Sequence, residues 1–502
     1  MNDVLCQVES VIRVDRATFT FPGRSVPALL DISLDIQPGT ITLLAGRTGS
    51  GKSTLLKLLA DWIPRHSAGT LTGSVRFADH VGEDELPAGY VGYLLQSPDE
   101  QICTTSVAAE VAFGLENMCL PTAEIARRID ESLALCGLAE VRDRHPRELS
   151  GGQLQRLMLA AVLAMGPRVI VLDEPCSQLD GVAVQELIEL LVECRRQGIA
   201  LVIAEHRLDE LLEHADRLLV IDQGRLVEQP GEAALRTIGW LPVEASDISK
   251  ALPRGEASLL EIHDLVVSYG KRAEPVLNGV SLTLHRGEIV ALVGRNGCGK
   301  STLLQTLATG GSWQSGNIIE HAPSTLVRGF LPQNPDLALF NPTVRAELAY
   351  AGNGNVDALA QAFNLSDKLW LPPFALSQGE RLRTALAATC ALDPHLLLLD
   401  EPSTGQDPRQ VESLLTLVEQ ALTGNQTERS PRAEAILTRL QAVLFTSHDW
   451  RIVARFATRV IVLAAGKVQA DLGIEAFMND EQARKLAGWP RRVRTAAPRG
   501  ER

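Results

Sequence analysis

The hydrophobic residues of the chain are concentrated in short apolar runs, and most of these runs lie close to segments with helical spacing. Continuous apolar runs beside helices are typical of strands buried in a parallel sheet. In each half, the first runs lead into a glycine-rich turn and a helix, which favours an antiparallel segment in front of a parallel core. The predicted strands are Val11–Phe21, Ile32–Ile36, Thr40–Ala45, Val169–Leu172 and Leu201–Ala204, then Leu260–Tyr269, Val280–Leu284, Ile289–Val293, Leu396–Leu399 and Val443–Thr446.

The chain repeats itself, because three segments recur in the same order in its second half. TLLAGRTGSGKSTLLKLLA (42–60) returns at 291–309, RVIVLDEPCSQLD (168–180) returns at 395–407, and ALVIAEH (200–206) returns at 442–448. A repeat this long predicts two whole domains rather than a solenoid. We expect domains at 1–242 and 258–488, joined by a linker at 243–257 that contains proline and glycine, a surface insertion around Thr423–Pro431, and a basic tail at 489–502.

Composition narrows the classes of function. A content of 45% hydrophobic and 22% charged residues is typical of soluble globular proteins. Its net charge of −13 disfavours general nucleic-acid binding, because such a surface repels phosphate backbones. The eight cysteines form no CxxC pair, so we expect neither a zinc ribbon nor a disulfide scaffold. No apolar run is long enough to suggest a membrane span, and the start of the chain suggests no signal peptide.

The pattern G-x-x-x-x-G-K-S occurs once in each half, after an apolar strand and before an apolar-periodic helix. Glycines let backbone N–H groups surround phosphates, and the lysine reaches the β- and γ-phosphates. The predicted ATP-binding residues are Gly46, Arg47, Thr48, Gly49, Ser50, Gly51, Lys52, Ser53 and Thr54, then Gly294, Arg295, Asn296, Gly297, Cys298, Gly299, Lys300, Ser301 and Thr302. Phe21 and Tyr269 lie equally far before the two lysines, which suggests aromatic platforms for adenine.

Each half also has four apolar residues followed by Asp-Glu, as VIVLDE and LLLLDE. A buried strand ending in Asp173 or Asp400 would place a carboxylate beside the phosphate loop, where it can hold the Mg²⁺ shell together with Ser53 or Ser301. Glu174 and Glu401 are then the candidate catalytic carboxylates that orient and deprotonate the attacking water. The predicted cofactors are therefore ATP and Mg²⁺.

The segment ELSGGQLQR has a serine and two glycines at the start of a helix, which makes Ser150, Gly151, Gly152 and Gln153 a second phosphate nest. Here the chain resembles the ATP-binding-cassette (ABC) ATPases, whose signature is LSGGQ. The resemblance covers nearly the whole chain, twice, and implies two P-loop ABC domains in one chain. The second half departs from it with LSQGE, which keeps Ser377 and Gly379 but has Gln378 and Glu380.

The resemblance implies further roles. It implies a head-to-tail arrangement in which each ATP lies between one half's P-loop and the other half's signature. It assigns γ-phosphate sensing to His206 and His448, and the magnesium-linked glutamine loop to Gln96 and Gln333. It also makes Asp180 and Asp407 interface residues. Because the first P-loop would face LSQGE, with a negative Glu380 near the phosphate, we expect the site of Gly294–Ser301 and Glu401 to hydrolyse ATP faster.

The stretch LLQSPDEQICTTSVAAEVAFGLEN (94–117) resembles the ATPases of energy-coupling-factor (ECF) vitamin and metal-ion importers. That resemblance implies an integral transmembrane scaffold and a substrate-binding membrane protein as partners, and a peripheral location on the cytoplasmic face of the membrane. Asp99, Glu100 and Glu110 would supply carboxylates for arginines of the scaffold. The alternatives are the tandem ATPase of a monosaccharide importer, and a soluble ABC ATPase acting in regulation or on ribosomes.

Overall fold

The computed structural model of the protein describes residues 10–78, 86–177, 179–206, 210–228, 257–270, 274–311, 313–321, 325–350, 355–403, 408–423 and 436–489. The chain divides into two compact units, Met1–Leu241 and Pro242–Arg502. Several predicted features lie outside the described residues, namely the linker up to residue 256, Asp407, residues 424–431 of the insertion, and the tail from residue 490.

The first unit contains a three-stranded antiparallel sheet and a six-stranded sheet that is parallel except at one edge. The antiparallel sheet has the order β2-β1-β4, from strands β1 (Ile12–Thr20), β2 (Leu29–Ile36) and β4 (Thr70–Phe77). The second sheet consists of β3 (Ile41–Gly46), β5 (Val91–Leu94), β6 (Val169–Asp173), β7 (Ala200–Ala204), β8 (Arg217–Asp222) and β9 (Arg225–Glu228), in the order β5-β6-β7-β3-β8-β9. The helices are α1 (Lys52–Leu59), α2 (Val107–Asn117), α3 (Thr122–Leu135), α4 (Gly151–Ala164) and α5 (Gly181–Arg196).

The second unit repeats this topology. Its antiparallel sheet has the order β11-β10-β13, from β10 (Ser258–Val267), β11 (Leu277–His285) and β13 (Ser315–Glu320). The larger sheet has the order β14-β15-β16-β12-β17-β18, from β12 (Ile289–Val293), β14 (Arg328–Leu331), β15 (Leu396–Leu399), β16 (Ala442–Thr446), β17 (Arg459–Ala464) and β18 (Lys467–Gly473). The helices are α6 (Lys300–Thr309), α7 (Val344–Ala349), α8 (Val356–Ala362), α9 (Gln378–Cys390), α10 (Pro408–Thr423), α11 (Trp450–Phe456), α12 (Ile474–Asn479) and α13 (Glu481–Leu486).

The central strands are buried along their whole length and mostly apolar, because both faces of each larger sheet are covered. In the first unit, Leu43 packs into a core shared with α2, α4 and α5, whereas its neighbour Leu44 packs into a core shared with α1 and the antiparallel sheet. The second unit is built in the same way. These observations confirm the predicted α/β fold, with a mostly parallel core and an antiparallel sheet in each unit. Within the described residues, no helix is long and apolar enough to cross a membrane.

Candidate functional site

The first P-loop connects the end of β3 at Gly46 to the start of α1 at Lys52. Gly51 has φ of +111°, and a Cβ atom there would lie 2.7 Å from the carbonyl oxygen of Ala28, so the turn requires glycine. The buried Lys52 folds back into the loop, where its Nζ donates to Gly46 O at 2.8 Å and Arg47 O at 3.2 Å. The loop therefore places an ammonium group and the helix start at one point, which suits a phosphate anion.

The second P-loop, between β12 and α6, has matching geometry. Gly299 has φ of +105°, and Lys300 Nζ donates to Gly294 O at 2.8 Å and Arg295 O at 3.2 Å. Gly294 would bring a Cβ within 2.7 Å of the sulfur of Cys298, which is buried. The remaining predicted residues lie in the two loops and first helical turns, namely Thr48, Gly49, Ser50, Ser53 and Thr54, and Asn296, Gly297, Ser301 and Thr302.

Asp173 and Glu174 lie at the carboxyl end of β6, close to the first P-loop. Lys52 Nζ lies 3.2 Å from His206 Nε2, and that nitrogen lies 3.1 Å from Glu174 Oε1. Gln96 Nε2 donates to Glu174 Oε2 at 2.7 Å. The structure therefore brings four predicted residues from separate segments of the first half into one hydrogen-bonded group, as a catalytic centre requires.

The two acids of the first half have pKa values shifted in opposite directions. Burial raises the pKa of Asp173, although hydrogen bonding from Ser53 and the charge of Lys52 oppose this effect. Burial also tends to raise the pKa of Glu174, but the hydrogen bond and charge of His206, with Lys52 and Gln96, outweigh it, so the pKa is lowered. Glu174 therefore stays ionised and can accept a hydrogen bond from water.

In the second half, Asp400 and Glu401 follow β15, and both are buried. His448 Nε2 lies 3.2 Å from Glu401 Oε1, and the His448 N–H donates to Glu401 Oε2 at 3.2 Å. Glu174 and Glu401 both have φ of +50°, a backbone region that non-glycine residues seldom occupy. Strained backbone of this kind is concentrated at functional sites, which supports both glutamates as catalytic candidates.

The residues beside each P-loop fit a magnesium ion. In the first half, the Ser53 hydroxyl hydrogen-bonds to Asp173, which gives a pair of hard oxygen donors. Ser301 is at the equivalent position in the first turn of α6. No group of three or more His, Cys, Asp or Glu in the described part of the chain could hold a metal. Mg²⁺ would therefore take further ligands from phosphate oxygens and water, as it commonly does.

The two predicted magnesium-linked glutamines differ. Gln96 is partly buried and donates a hydrogen bond to Glu174, whereas Gln333 is exposed and has no hydrogen-bond partner among the described residues. Two acids in the first turns of the helices that follow, α2 and α7, are buried and bind their own loops. Glu110 is buried, and its carboxylate accepts from the N–H groups of Cys103 and Thr104, so the expectation that it meets a partner's arginine is wrong. Glu347 does the same for Phe340 and Asn341.

The signature segments begin α4 and α9, each with a capping box. Ser150 Oγ accepts from Gln153 N, and Gln153 Oε1 accepts from Ser150 N. In the second half, Ser377 and Glu380 make the equivalent bonds, and the Ser377 hydroxyl also donates to Glu380 Oε2 at 2.8 Å. Gly151 and Gly152 lie in the first turn of α4, and Gly379 lies buried in that of α9. Within the described residues of each half, no hydrogen bond joins a signature to that half's P-loop.

The predicted adenine platforms also differ in exposure. Tyr269 is 64% exposed, and its hydroxyl lies 3.1 Å from that of Thr302 in α6, so its ring stands beside the phosphate loop. Phe21 is partly buried and packs edge-on against Phe19 at 4.9 Å between ring centres. Asp180 caps α5 by accepting from Ala183 N at 3.0 Å.

Several polar residues at the sites were not predicted from the sequence. Glu205 is buried and accepts from the N–H groups of Cys176 and His206, which fixes the segment after Glu174. Tyr93 and Thr446 donate hydroxyl groups to Asp173 and Asp400. No local motif marks these residues, because their contacts depend on which strands lie side by side in each larger sheet.

Comparison with known proteins agrees with this geometry. The profile of the ABC transporter family matches residues 29–177 and 277–404, which together exceed half of the chain. A candidate ABC transporter ATP-binding protein of Methanosarcina mazei is 33% identical, over 92% of this chain and 89% of its own length. A candidate HMP/thiamine import ATP-binding protein, YkoD of Bacillus subtilis, is 31% identical, over 91% of this chain and 90% of its own length.

Among solved structures, the archaeal ribosome recycling factor aABCE1, determined with the ribosomal stalk protein aP1, has a similar fold. The match has a TM-score of 0.62 at 20% identity and covers 92% of this chain and 91% of that one. This likeness concerns the fold alone. From the two P-loops, the two Asp-Glu strands and the family match, the chain belongs to the ABC family of ATPases and carries the cassette twice.

Proposed function

We propose that the chain is the ATP-hydrolysing subunit of an ECF-type membrane importer that takes up a vitamin, a vitamin precursor or a metal ion. The resemblance of residues 94–117 to ECF ATPases supports this proposal. A relative that is named as an HMP/thiamine import protein and that matches most of both chains supports it as well.

The observation that carries the proposal is the hydrogen bond of 2.7 Å between Gln96 and Glu174. Gln96 is followed at once by a surface loop in which Asp99 and Glu100 are exposed. A partner that binds this loop and displaces it would move Gln96 and, through the hydrogen bond, the Glu174 carboxylate, which would orient water. Such a link couples hydrolysis to a motion outside the chain, as an importer requires.

The chemistry at each site follows from the charges around it. Lys52 and Lys300 would stabilise negative charge on the β- and γ-phosphates, and the lysine is held ready inside each loop. Glu174 and Glu401 would orient the attacking water and accept its proton, and His206 and His448 hold those carboxylates in place. Mg²⁺, when bound through Ser53 with Asp173 and Ser301 with Asp400, would neutralise phosphate charge.

We further propose that the signature of each half completes the ATP site of the other half, with Ser150, Gly151, Gly152 and Gln153 serving the second P-loop. Ser377 and Gly379 would serve the first. Binding of ATP would then favour association of the halves, and hydrolysis would release it. The site with the regular signature should turn over faster.

The partner surfaces of the two halves would be chemically different. Glu100 of the first half is aligned with Leu337, which is 67% exposed, and Cys103 is aligned with Phe340, which is 77% exposed. Asp99 is aligned with Asp336, which is paired with Arg381 at 2.9 Å. The first loop therefore offers negative charge to a basic segment of an integral transmembrane scaffold, and the second offers apolar side chains.

The proposed assembly also includes a substrate-binding membrane protein, which would choose the solute. The chain itself would be peripheral, held at the cytoplasmic face by the scaffold. A polytopic protein encoded beside this chain would be the first candidate for that scaffold.

Fractionation of cells tests the proposal. We expect the full chain in the membrane fraction only when its scaffold is present, and we expect Asp99→Lys with Glu100→Lys to release it. Glu140→Lys, an equal charge change per residue elsewhere on the exposed surface of the first half, serves as the control. Uptake of labelled vitamins and metal ions with and without the chain would identify the solute. Co-sedimentation with ribosomes, without membrane association, would contradict the importer and support the soluble alternative.

A further inference from the structure

The metal-binding aspartate of the first half receives a hydroxyl group that the family motifs do not include. Asp173 is 7% exposed, and Tyr93 on the neighbouring strand β5 donates its phenolic O–H to Asp173 Oδ2 at 3.5 Å.

The aspartate of the second half receives a hydroxyl from the opposite side. Asp400 is 4% exposed, and the buried Thr446 at the end of β16 donates to Asp400 Oδ1 at 2.8 Å. The same Thr446 oxygen accepts from the N–H group of Glu401 at 2.8 Å. The Thr446 side chain therefore fixes both the Asp400 carboxylate and the backbone nitrogen of Glu401.

The register of the strands shows that the hydroxyl donor comes from a different neighbouring strand in each half. Tyr93 pairs with Val171, two residues before Asp173, and Phe330 pairs with Leu398, two residues before Asp400. On the other side, Ala204 pairs with Asp173, and Thr446 is its equivalent one step beyond the pair of Leu399 with Phe445. The first half thus has Tyr and Ala where the second half has Phe and Thr, so each aspartate keeps one neighbouring-strand hydroxyl.

We propose that Tyr93 and Thr446 are positioning residues that orient Asp173 and Asp400 toward Mg²⁺. Tyr93 holds its aspartate from the strand on one side, and Thr446 holds its aspartate from the strand on the other side. A carboxylate with one oxygen held by a fixed donor presents its other lone pairs in one direction, which favours an ion with strict geometry. Because the Thr446 contact is shorter, it should matter more than the Tyr93 contact. This inference rests on the proposed ATP and magnesium sites, and it does not depend on import.

The test measures metal binding rather than turnover. In the full chain carrying Glu174→Gln and Glu401→Gln, Mn²⁺ binding with ATP is followed by electron paramagnetic resonance. We expect Tyr93→Phe to weaken one site several-fold and Thr446→Ala to weaken the other about tenfold, as is common for residues that orient metal ligands. Each variant creates a residue that the other half already tolerates, and the two variants test the inference independently.

Exchange of the donors provides the rescue. Phe330→Tyr added to Thr446→Ala should restore most of the Mn²⁺ affinity, and Ala204→Thr should do so in Tyr93→Phe. Folded Tyr93→Phe and Thr446→Ala variants with unchanged Mn²⁺ affinity, or failure of Phe330→Tyr to restore any, would overturn the inference. A parent chain that binds ATP but no Mn²⁺ would instead overturn the proposed magnesium sites, and the inference with them.

Discussion

The turns Ser150–Gln153 and Ser377–Glu380 have the same backbone hydrogen bonds but differ in whether the serine hydroxyl is already donating. Both begin a helix with a capping box. Gln153 accepts from the Ser150 backbone, and no side chain accepts from the Ser150 hydroxyl within the described residues. Glu380 accepts from both the backbone and the hydroxyl of Ser377. Glu380, at the position of Gln153, therefore occupies the Ser377 hydroxyl, which could otherwise donate a hydrogen bond to a phosphate.

The comparison changes the reason for expecting unequal sites. The sequence suggested that the charge of Glu380 itself would repel a phosphate. Burial raises the pKa of Glu380, but hydrogen bonds from Ser377 and the charges of Lys368 and Arg383 lower it overall, so the carboxylate stays ionised among cations. We therefore expect capture of the Ser377 hydroxyl, at least as much as repulsion, to weaken the proposed site of the first P-loop.

The largest expected effect comes from removing a P-loop lysine. Lys300→Ala should abolish transport and lower ATPase turnover about 100- to 1,000-fold, because a preorganised charge on the phosphates is lost at the site that we expect to be faster. Lys52→Ala should leave a measurable remainder. Steady-state phosphate release from the purified full chain measures both variants, and turnover like that of the unmodified chain in either one would contradict the site assignment.

A buried ion-pair group in the second half should matter more for stability than an exposed ion pair in the first half. Arg459 is bound by Glu288 at 3.0 Å and by Asp471 at 2.5 Å, with Arg459 and Glu288 nearly inaccessible. Glu288→Ala should cost about 3 kcal/mol, because it leaves a buried charge without one of its partners. Asp35→Ala, which breaks the exposed pair with Arg13, should cost less than about 1 kcal/mol. Urea unfolding of the full chain, followed by hydrogen exchange, measures both, and equal costs would contradict the prediction.

Exchange of the signature residues should have a smaller effect. Glu380→Gln should raise hydrolysis at the first P-loop several-fold, up to about tenfold, since one hydrogen bond contributes about 0.5–1.5 kcal/mol net. Gln153→Glu should lower hydrolysis at the second P-loop by a similar factor. Single-turnover assays, with the other half's glutamate replaced by glutamine, isolate each site. No change in either variant would show that this turn does not set the difference.

Apolar runs and P-loop glycines predicted the fold class of the domains. The sequence also singled out Lys52, Gln96, Glu174 and His206, which the structure brings into one hydrogen-bonded group. It did not predict β4, β5, β8 and β9, or β13, β14, β17 and β18. Among these, β8 and β17 are short apolar runs, which periodicity alone cannot distinguish from buried helix.

Tyr93 and Thr446 were also not predicted from the sequence. Their role depends on which strands lie beside Asp173 and Asp400, and strand order is not written in local spacing. Glu110 was misassigned for the same reason, because only the fold shows its carboxylate capping a loop.

The most direct test of unequal sites compares Glu174→Gln with Glu401→Gln in the full chain. Each variant leaves one intact catalytic glutamate, and a single-turnover assay with Mg²⁺-ATP then measures that site alone. We predict that Glu174→Gln, which leaves the second P-loop with Glu401, hydrolyses ATP several-fold faster than Glu401→Gln. Equal rates, or a faster Glu401→Gln variant, would contradict the account.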